Sequence, residues 1–368
     1  MRIARELAVI LLSATTLGLA APAARAEITP DTYQALNVAI VENYVLPPYA
    51  AFAQAAATLE VSLMQACSDG RAEATESMAA YHAAMDAWMA VQHLRFGPSE
   101  LFLRTERVEF WPDKRGTVRR HLAQMLSDRD PHTLQADVFA NGSVAVQGFP
   151  ALERLLFDSE ADDWVTPFTC QLACAIGRNL TGIAAGLLND WRGGETAYAG
   201  IIESAGNGGN DRYFDAKEAS LEFAKSLRGA LLLVEDYKLG RPLGAAPEDA
   251  RATRAESWRS ARSLRNVAVN LKAAQALYEA GGNASFSAVT RAQPKGAELD
   301  EAIRGAFLRL VAAIEAQPDS LVTALEAPDG WAQLDAIRTE TKQLLELLGG
   351  PLSQVLDLPM GFNSYDGD

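Results

Sequence analysis

The sequence predicts an all-α protein built from bundles of antiparallel helices. Apolar residues recur at helical spacing along almost the whole chain, whereas the alternating patterns typical of β-strands are scarce. Alanine is abundant and runs of β-branched residues are few, which also favours helix. The 368 residues are enough for two helical-bundle domains packed together, and two helix-rich halves suggest an internal duplication.

The helical periodicity predicts long helices over residues 30–46, 48–68, 72–94, 118–125, 144–156, 168–192, 212–239, 248–280, 298–316 and 330–348. Start signals support three of them: Thr29 with Pro30 before the first, Pro247 before residue 248, and Asp329 before the last. A Gly- and Asn-rich connection, residues 193–211, separates the halves. We therefore expect an N-terminal bundle over 27–192 and a C-terminal bundle over 212–368.

Residues 1–26 have the features of a cleavable signal peptide. Arg2 and Arg5 form a basic start, an apolar run follows from Leu7 to Leu19, and Ala24-Arg25-Ala26 fits a cleavage site. The apolar run is too short to remain as a membrane-spanning helix. We expect cleavage near Ala26, export to the periplasm, and no integral membrane segment afterwards.

Charge and cysteine content narrow the classes of partner and compartment. A net charge of −14 makes a nucleic-acid ligand unfavourable and favours a cation or a basic envelope protein. Three cysteines fit an oxidising compartment with one intramolecular disulfide. Cys170 and Cys174 lie one helical turn apart, which gives poor geometry for a bridge between them. We expect Cys67 to pair with one of the two.

The segment Gly148-Phe149-Pro150-Ala151-Leu152-Glu153 is typical of a loop that leads into an apolar helix. Four further segments accompany it in order: Leu94-Arg95-Phe96-Gly97-Pro98, Phe110-Trp111-Pro112-Asp113, Lys238-Leu239-Gly240-Arg241-Pro242-Leu243-Gly244 and Glu256-Ser257-Trp258-Arg259-Ser260. Together they resemble the imelysin family, whose hallmark is G-x-H-x-x-E at the start of such a helix. Gly148 and Glu153 match this hallmark, but Pro150 stands in the place of the histidine.

The resemblance implies an all-helical, two-domain envelope protein of the kind tied to iron acquisition in bacteria. The family's peptidase activity is in doubt here because Pro150 replaces the motif histidine. We therefore expect a non-catalytic protein that binds a ligand in an interdomain cleft, in iron uptake or handling at the cell envelope. Iron or another divalent cation is the candidate cofactor. The alternatives are a divergent metallohydrolase and a periplasmic scaffold that binds a protein partner.

Several residues are candidates for the ligand site. Glu153 lies early in an apolar helix, so it either binds a cationic group or interacts favourably with the helix N-terminus. Arg95, Trp111 and Asp113 lie in or near an irregular basic and aromatic segment that suits a small anion or a carboxylate-bearing iron chelate.

Arg95 alternatively pairs with a nearby carboxylate and ties the loop to the bundle. In the second half, Trp258, Arg259 and Ser260 are candidates for the same cleft, on a predicted helix whose small polar residues also suit close helix packing.

A separate metal-binding hypothesis rests on His82, Asp86 and His93. They follow one another at offsets of 0, 4 and 11 on a predicted helix and share one face. With a residue from a second helix they would hold a cation. The sequence contains neither H-E-x-x-H nor G-x-S-x-G, so no known hydrolase motif supports the metallohydrolase alternative.

Overall fold

The computed structural model describes residues 27–68, 74–158, 166–193 and 197–360. All regular elements in these ranges are helical, and no strand occurs among them, so the predicted all-α class is confirmed. The predicted signal peptide, residues 1–26, lies outside the described residues, as do 194–196 of the predicted connection. Within the described ranges, none of the helices has the length and apolar character needed to span a bilayer.

The helices are α1 (Pro30–Ile40), α2 (Leu46–Ser68), α3 (Ala74–Met89), α4 (Arg104–Val108), α5 (Thr117–Asp128), α6 (Ala136–Ala140), α7 (Phe149–Phe157), α8 (Pro167–Arg192), α9 (Tyr198–Glu203), α10 (Ala216–Leu232), α11 (Arg241–Leu243), α12 (Ser263–Glu279), α13 (Phe286–Arg291), α14 (Gly296–Glu315), α15 (Leu321–Glu326), α16 (Gly330–Leu347) and α17 (Ser353–Val355). Three π-helical segments, Val41–Val45, Leu233–Gly240 and Leu348–Leu352, join α1 to α2, α10 to α11 and α16 to α17.

The helices pack in two groups that share one core. In the first half α2 packs against α3 and α8, and in the second half α12 packs against α14, which in turn packs against α16. α1 packs against α10 and α3 packs against α12, so the two groups are in direct contact. Buried apolar side chains from both groups, Trp88 and Trp191 among them, form one contiguous cluster. The division into two domains therefore stays a prediction.

The predicted connection at 193–211 contains an ordered helix. α9 packs against α1 and α8. The hydroxyls of Tyr198 in α9 and of Tyr213 just beyond the connection lie 2.7 Å apart. Ile202 is completely buried. The described part of this segment is thus held against the helices on either side of it.

The predicted helix over 248–280 is wrong in its first part. Two short 3₁₀ turns occupy its beginning, and α12 starts only at Ser263. Ser257 and Ala261 have left-handed φ angles of 50° and 55°, which a continuous helix excludes. This irregular conformation leaves the Ser260 amide free to donate outside its own segment, whereas a helix interior would use it.

The cysteines pair as expected. A disulfide joins Cys67, near the end of α2, to Cys170 in α8. Cys174, one turn further along α8, keeps a free and half-buried thiol. Its Sγ lies 3.6 Å from Sγ of Cys67.

Candidate functional site

A cleft of ≈ 880 Å³ opens at the altered motif. Its walls come from the loop after α4, the first turns of α7, Arg241, and the stretch from Thr253 to Arg259. Six of the residues predicted from sequence line it together: Trp111, Asp113, Pro150, Glu153, Trp258 and Arg259. Residues far apart in the chain therefore share one concave surface of a size suited to a small ligand.

Gly148 allows α7 to pack closely against the end of α4 next to the cleft. It precedes α7, and a Cβ at this position would lie 2.1 Å from the carbonyl oxygen of Val108 and 2.4 Å from that of Arg107. Only glycine permits the start of α7 to approach the end of α4 so closely. Pro150 lies in the first turn of α7, where proline is tolerated because the missing N–H has no helical partner. Its ring lines the cleft.

Glu153 is held in place by Ser260. The carboxylate is almost completely buried, and its Oε1 accepts hydrogen bonds from the Ser260 amide at 2.9 Å and the Ser260 hydroxyl at 2.7 Å. Burial raises the pKa of Glu153, and the two bonds from Ser260 oppose that rise. Its second oxygen, Oε2, accepts no hydrogen bond within the part of the chain that the structure describes. Ser260 is thus a positioning residue, and Oε2 remains available to a ligand.

A buried ion pair lies at the floor of the cleft. Lys238, in the π-helical segment after α10, places Nζ 2.6 Å from Oε2 of Glu256, and both side chains are almost fully inaccessible. Nζ also donates to Oε1 of Gln92 at 3.0 Å. The Asn266 amide donates to the same Glu256 oxygen at 2.5 Å. These bonds compensate for the loss of hydration that makes isolated buried charges costly.

A second carboxyl group, that of Glu109, adjoins this pair. Its Oε2 accepts hydrogen bonds from the Trp88 indole at 2.6 Å and the Gln92 amide at 2.5 Å. Burial and the neighbouring Glu256 raise the pKa of Glu109 well above its usual range. Burial is the largest effect on Glu256 and acts to raise its pKa, but the charge of Lys238 and the hydrogen bonds with Lys238, Glu109 and Gln92 together lower it. Glu109 thus holds its proton more tightly than Glu256 does, in a buried cluster that also contains the Lys238 ammonium.

Two guanidinium groups in the cleft are stacked on aromatic rings. Arg241 lies 3.8 Å from the ring centre of Tyr237, and Arg259 lies 4.3 Å from that of Trp258. Nε of Arg259 also donates to Asp158 at 2.7 Å. The Arg241 guanidinium has no hydrogen bond or ion pair with any residue in the described ranges. Stacking fixes the plane of a guanidinium while its N–H groups stay free to bind an anion.

Arg95 and Asp113 have structural partners. Arg95 donates to Glu106 at 3.3 Å and lines a smaller cavity of ≈ 430 Å³, which shares the loop after α4 with the main cleft. Asp113 accepts hydrogen bonds from the amides of Thr117 and Val118, both at 2.8 Å, and so caps α5. The carboxylate of Asp113 lines the main cleft with both oxygens already engaged.

The predicted metal residues are not brought together. α3 ends at Met89, so His93 lies beyond the helix that carries His82 and Asp86. Asp86 accepts hydrogen bonds at 2.5 Å from both Arg262 and Arg265. In the described ranges no group of three or more His, Cys, Asp or Glu side chains is placed to hold a metal ion.

Both histidines of that set have a lowered pKa. His82 receives a hydrogen bond at Nδ1 from Arg262 at 3.1 Å, and burial and this cation lower its pKa. His93 lies 2.9 Å from the Tyr44 hydroxyl through Nε2. Burial, with a contribution from Lys238, lowers the pKa of His93 to about 3.

Four residues of the site were not among the sequence candidates: Glu109, Lys238, Arg241 and Glu256. Glu109 directly precedes the Phe110-Trp111-Pro112-Asp113 segment, and the other three lie in segments that carry the family resemblance. A buried Lys–Glu pair has no spacing pattern in sequence, because its members meet only after distant segments pack.

The fold and the cleft define a class: an all-helical protein with a charged ligand-sized cleft built from both halves of the chain. The chain belongs to the imelysin family, since the family model for imelysin (peptidase M75) matches residues 45–348.

Two solved structures have the same fold. An imelysin-like protein from Psychrobacter arcticum 273-4 superposes with a TM-score of 0.74 at 17% identity, covering 91% of this chain and 99% of the other. A candidate iron-regulated protein A precursor from Parabacteroides distasonis ATCC 8503 superposes with a TM-score of 0.71 at 16% identity, covering 88% and 95%. At these identities the likeness concerns the fold. Among curated protein sequences, none matches this chain significantly.

Proposed function

We propose that this protein is exported to the periplasm and binds a ligand in the cleft at the altered motif, in iron uptake or handling at the cell envelope. The observation that carries the proposal is Glu153, whose Oε1 is fixed by Ser260 while Oε2 is left for a ligand. A carboxylate oriented in this way is prepared for binding before the ligand arrives.

Binding without catalysis is favoured by the residue that replaces the motif histidine. Pro150 lines the cleft but offers no metal-ligating atom. A hydrolytic metal site normally has three protein ligands. The link to iron is supported by the name of the Parabacteroides distasonis structure, which describes that protein as iron-regulated.

The test is metal analysis and calorimetry of the exported protein, purified without chelator. Iron and zinc contents are measured, and ferrous iron, ferric citrate and zinc are titrated into the wild type, Glu153→Ala and Glu340→Ala. Glu340 is a matched control because it is a carboxylate on α16, away from the cleft, paired with Arg309. We expect an iron species to bind the wild type and Glu340→Ala and to lose most of its affinity in Glu153→Ala.

Three results would overturn the proposal. If no iron species binds, the role in iron handling is wrong. Unchanged affinity in Glu153→Ala, with native circular dichroism, would place the ligand elsewhere. One tightly held zinc ion per chain that depends on Glu153 would favour the metallohydrolase alternative.

Export is tested separately by N-terminal sequencing of the protein from a periplasmic fraction. We expect the mature chain to begin at Glu27, directly after the predicted cleavage site. Recovery of the intact N-terminus from the cytoplasm would contradict export.

A further inference from the structure

The balance of charged side chains in the cleft differs from that of the whole protein. The cationic side chains in the lining are Lys114, Arg154, Arg241, Arg254 and Arg259, and the acidic ones are Glu109, Asp113, Glu153 and Glu256. The chain as a whole carries a net charge of −14. The lining therefore holds five cationic and four acidic side chains, so it is nearly balanced in charge on a strongly acidic protein.

Two arginines of this lining are uncompensated. The guanidinium groups of Arg241 and Arg254 form no hydrogen bond or ion pair with any residue of the described chain. Arg259 uses Nε for Asp158, which leaves its two terminal nitrogens without a hydrogen bond within the same ranges. Guanidinium groups bind planar carboxylates through two parallel hydrogen bonds, so these side chains suit a ligand with several carboxylates.

The acidic side chains are largely occupied. Asp113 caps α5, Glu256 pairs with Lys238, and Glu109 is bonded to Trp88 and Gln92. Glu153 remains, with one oxygen that accepts nothing from the residues the structure describes. One carboxylate oxygen is too few to bind a bare metal ion, which needs about four to six ligands.

The free guanidinium groups and the single free carboxylate oxygen together argue against two simple ligands, a bare cation and a free polycarboxylate. A bare cation would meet the unpaired guanidinium groups and only a single available carboxylate oxygen. A free polycarboxylate would place its negative charge against Glu153. An anionic metal chelate satisfies both sides, because it brings most of its own metal ligands and presents surplus carboxylates at its surface.

We propose that the cleft recognises an anionic polycarboxylate chelate of a metal ion. The guanidinium groups of Arg241 and Arg259 bind its carboxylates, and Oε2 of Glu153 faces its metal centre. Arg254, exposed at the same cleft, adds a third cationic contact. This inference rests on the proposed function and specifies the class of ligand.

The experiment compares three probes by calorimetry at one ionic strength: ferric citrate, citrate alone and ferrous iron alone. They are titrated into the exported protein and into Glu153→Ala, Arg241→Met, Arg254→Met and Arg309→Met. Methionine keeps the length of the arginine stem and removes the charge. Arg309 is the control, because it is an exposed arginine on α14 that pairs with Glu340 away from the cleft. Circular dichroism checks that each variant is folded.

We expect ferric citrate to bind more tightly than either component. Arg241→Met should weaken it by about tenfold or more, because the variant loses its charge-assisted hydrogen bonds to the carboxylates of the chelate. Arg254→Met should weaken it less because its side chain is exposed, and Arg309→Met should not change it.

The contrary outcomes are distinct. If ferrous iron alone binds, with dependence on Glu153 but not on Arg241, the chelate is wrong and the proposed iron-handling function survives. If citrate alone binds as tightly as ferric citrate, the metal centre contributes nothing and the chelate is again wrong. If none of the three binds, both the chelate and the proposed function are overturned.

Discussion

Replacing Gly148 by alanine should destabilise the protein strongly. The backbone at Gly148 has φ −132° and ψ −163°, which any residue can adopt, so the cost is not conformational. The added methyl carbon would lie 2.1 Å from the Val108 carbonyl oxygen, about 1 Å inside the distance of normal van der Waals contact. Both contacting oxygens belong to backbone and cannot rotate away, so α7 has to move relative to α4. We expect a loss of about 3 kcal/mol, the upper part of the range for overpacked sites.

The measurement is equilibrium urea unfolding followed by circular dichroism, with the slope against urea as a check on two-state behaviour. Gly182→Ala is the matched control: Gly182 lies within α8 and a Cβ there would meet nothing within 4 Å. It should gain about 0.5–1 kcal/mol from helix propensity. A loss below about 1 kcal/mol for Gly148→Ala would refute the close-approach argument, because an overlap of this size cannot cost so little. In that case the motif glycine would need another explanation.

Three further predictions concern the buried groups. Lys238→Met should lower the free energy of unfolding by about 3–5 kcal/mol, because it leaves the carboxylate of Glu256 buried without its cation. Adding Glu256→Gln to this variant should restore most of the lost stability. Equal stability of the single and double variants in urea would contradict the ion pair. Because the pKa of His93 is lowered to about 3, its contribution to stability is present above the usual pKa near 6.5 and is lost as pH falls. That loss should reach about 2 kcal/mol at pH 5, and His93→Gln should be correspondingly flatter between pH 7 and 5; parallel pH profiles would argue against a buried neutral imidazole. In Cys170→Ser, the thiol of Cys174 lies close enough to Cys67, at 3.6 Å, to form a disulfide with it instead. Peptide mapping of the oxidised variant should therefore find a Cys67–Cys174 disulfide. Two free thiols would show that this approach does not lead to a bond.

Regular helices were predictable because their signal is local. The prediction of 168–192 corresponds to α8 at Pro167–Arg192, and that of 330–348 corresponds to α16 at Gly330–Leu347. Periodicity failed over the residues before Ser263, where side-chain spacing resembles a helix but the backbone turns to meet Glu153. The hydrogen bond that stabilises this conformation joins Ser260 to Glu153, which is 107 positions earlier in the chain, and no local sequence pattern can indicate such a contact.

The site was predictable only where a motif marked it. Glu153 and Pro150 stand at motif positions, and both line the cleft. Arg241 and Glu109 became visible only when distant segments were packed together. For His82 and Asp86, the spacing correctly suggests a shared helix face but wrongly suggests a metal site. It cannot reveal that Arg262 and Arg265 already bind the two carboxylate oxygens of Asp86.

The ion pair at the floor of the cleft also limits how a ligand enters. Gln92 belongs to the first half of the chain, whereas Lys238 and Glu256 belong to the second, so the hydrogen bond that Gln92 accepts from Lys238 and the one it donates to Glu256 cross from one half to the other. A hinge that parted the halves would break these two hydrogen bonds and leave the Lys238–Glu256 pair, which lies within the second half, with fewer of the bonds that compensate for its burial. Entry is therefore expected through local movement of the loop after α4, into a cleft that is already formed. Small-angle scattering profiles of the free and ligand-bound protein should then superimpose.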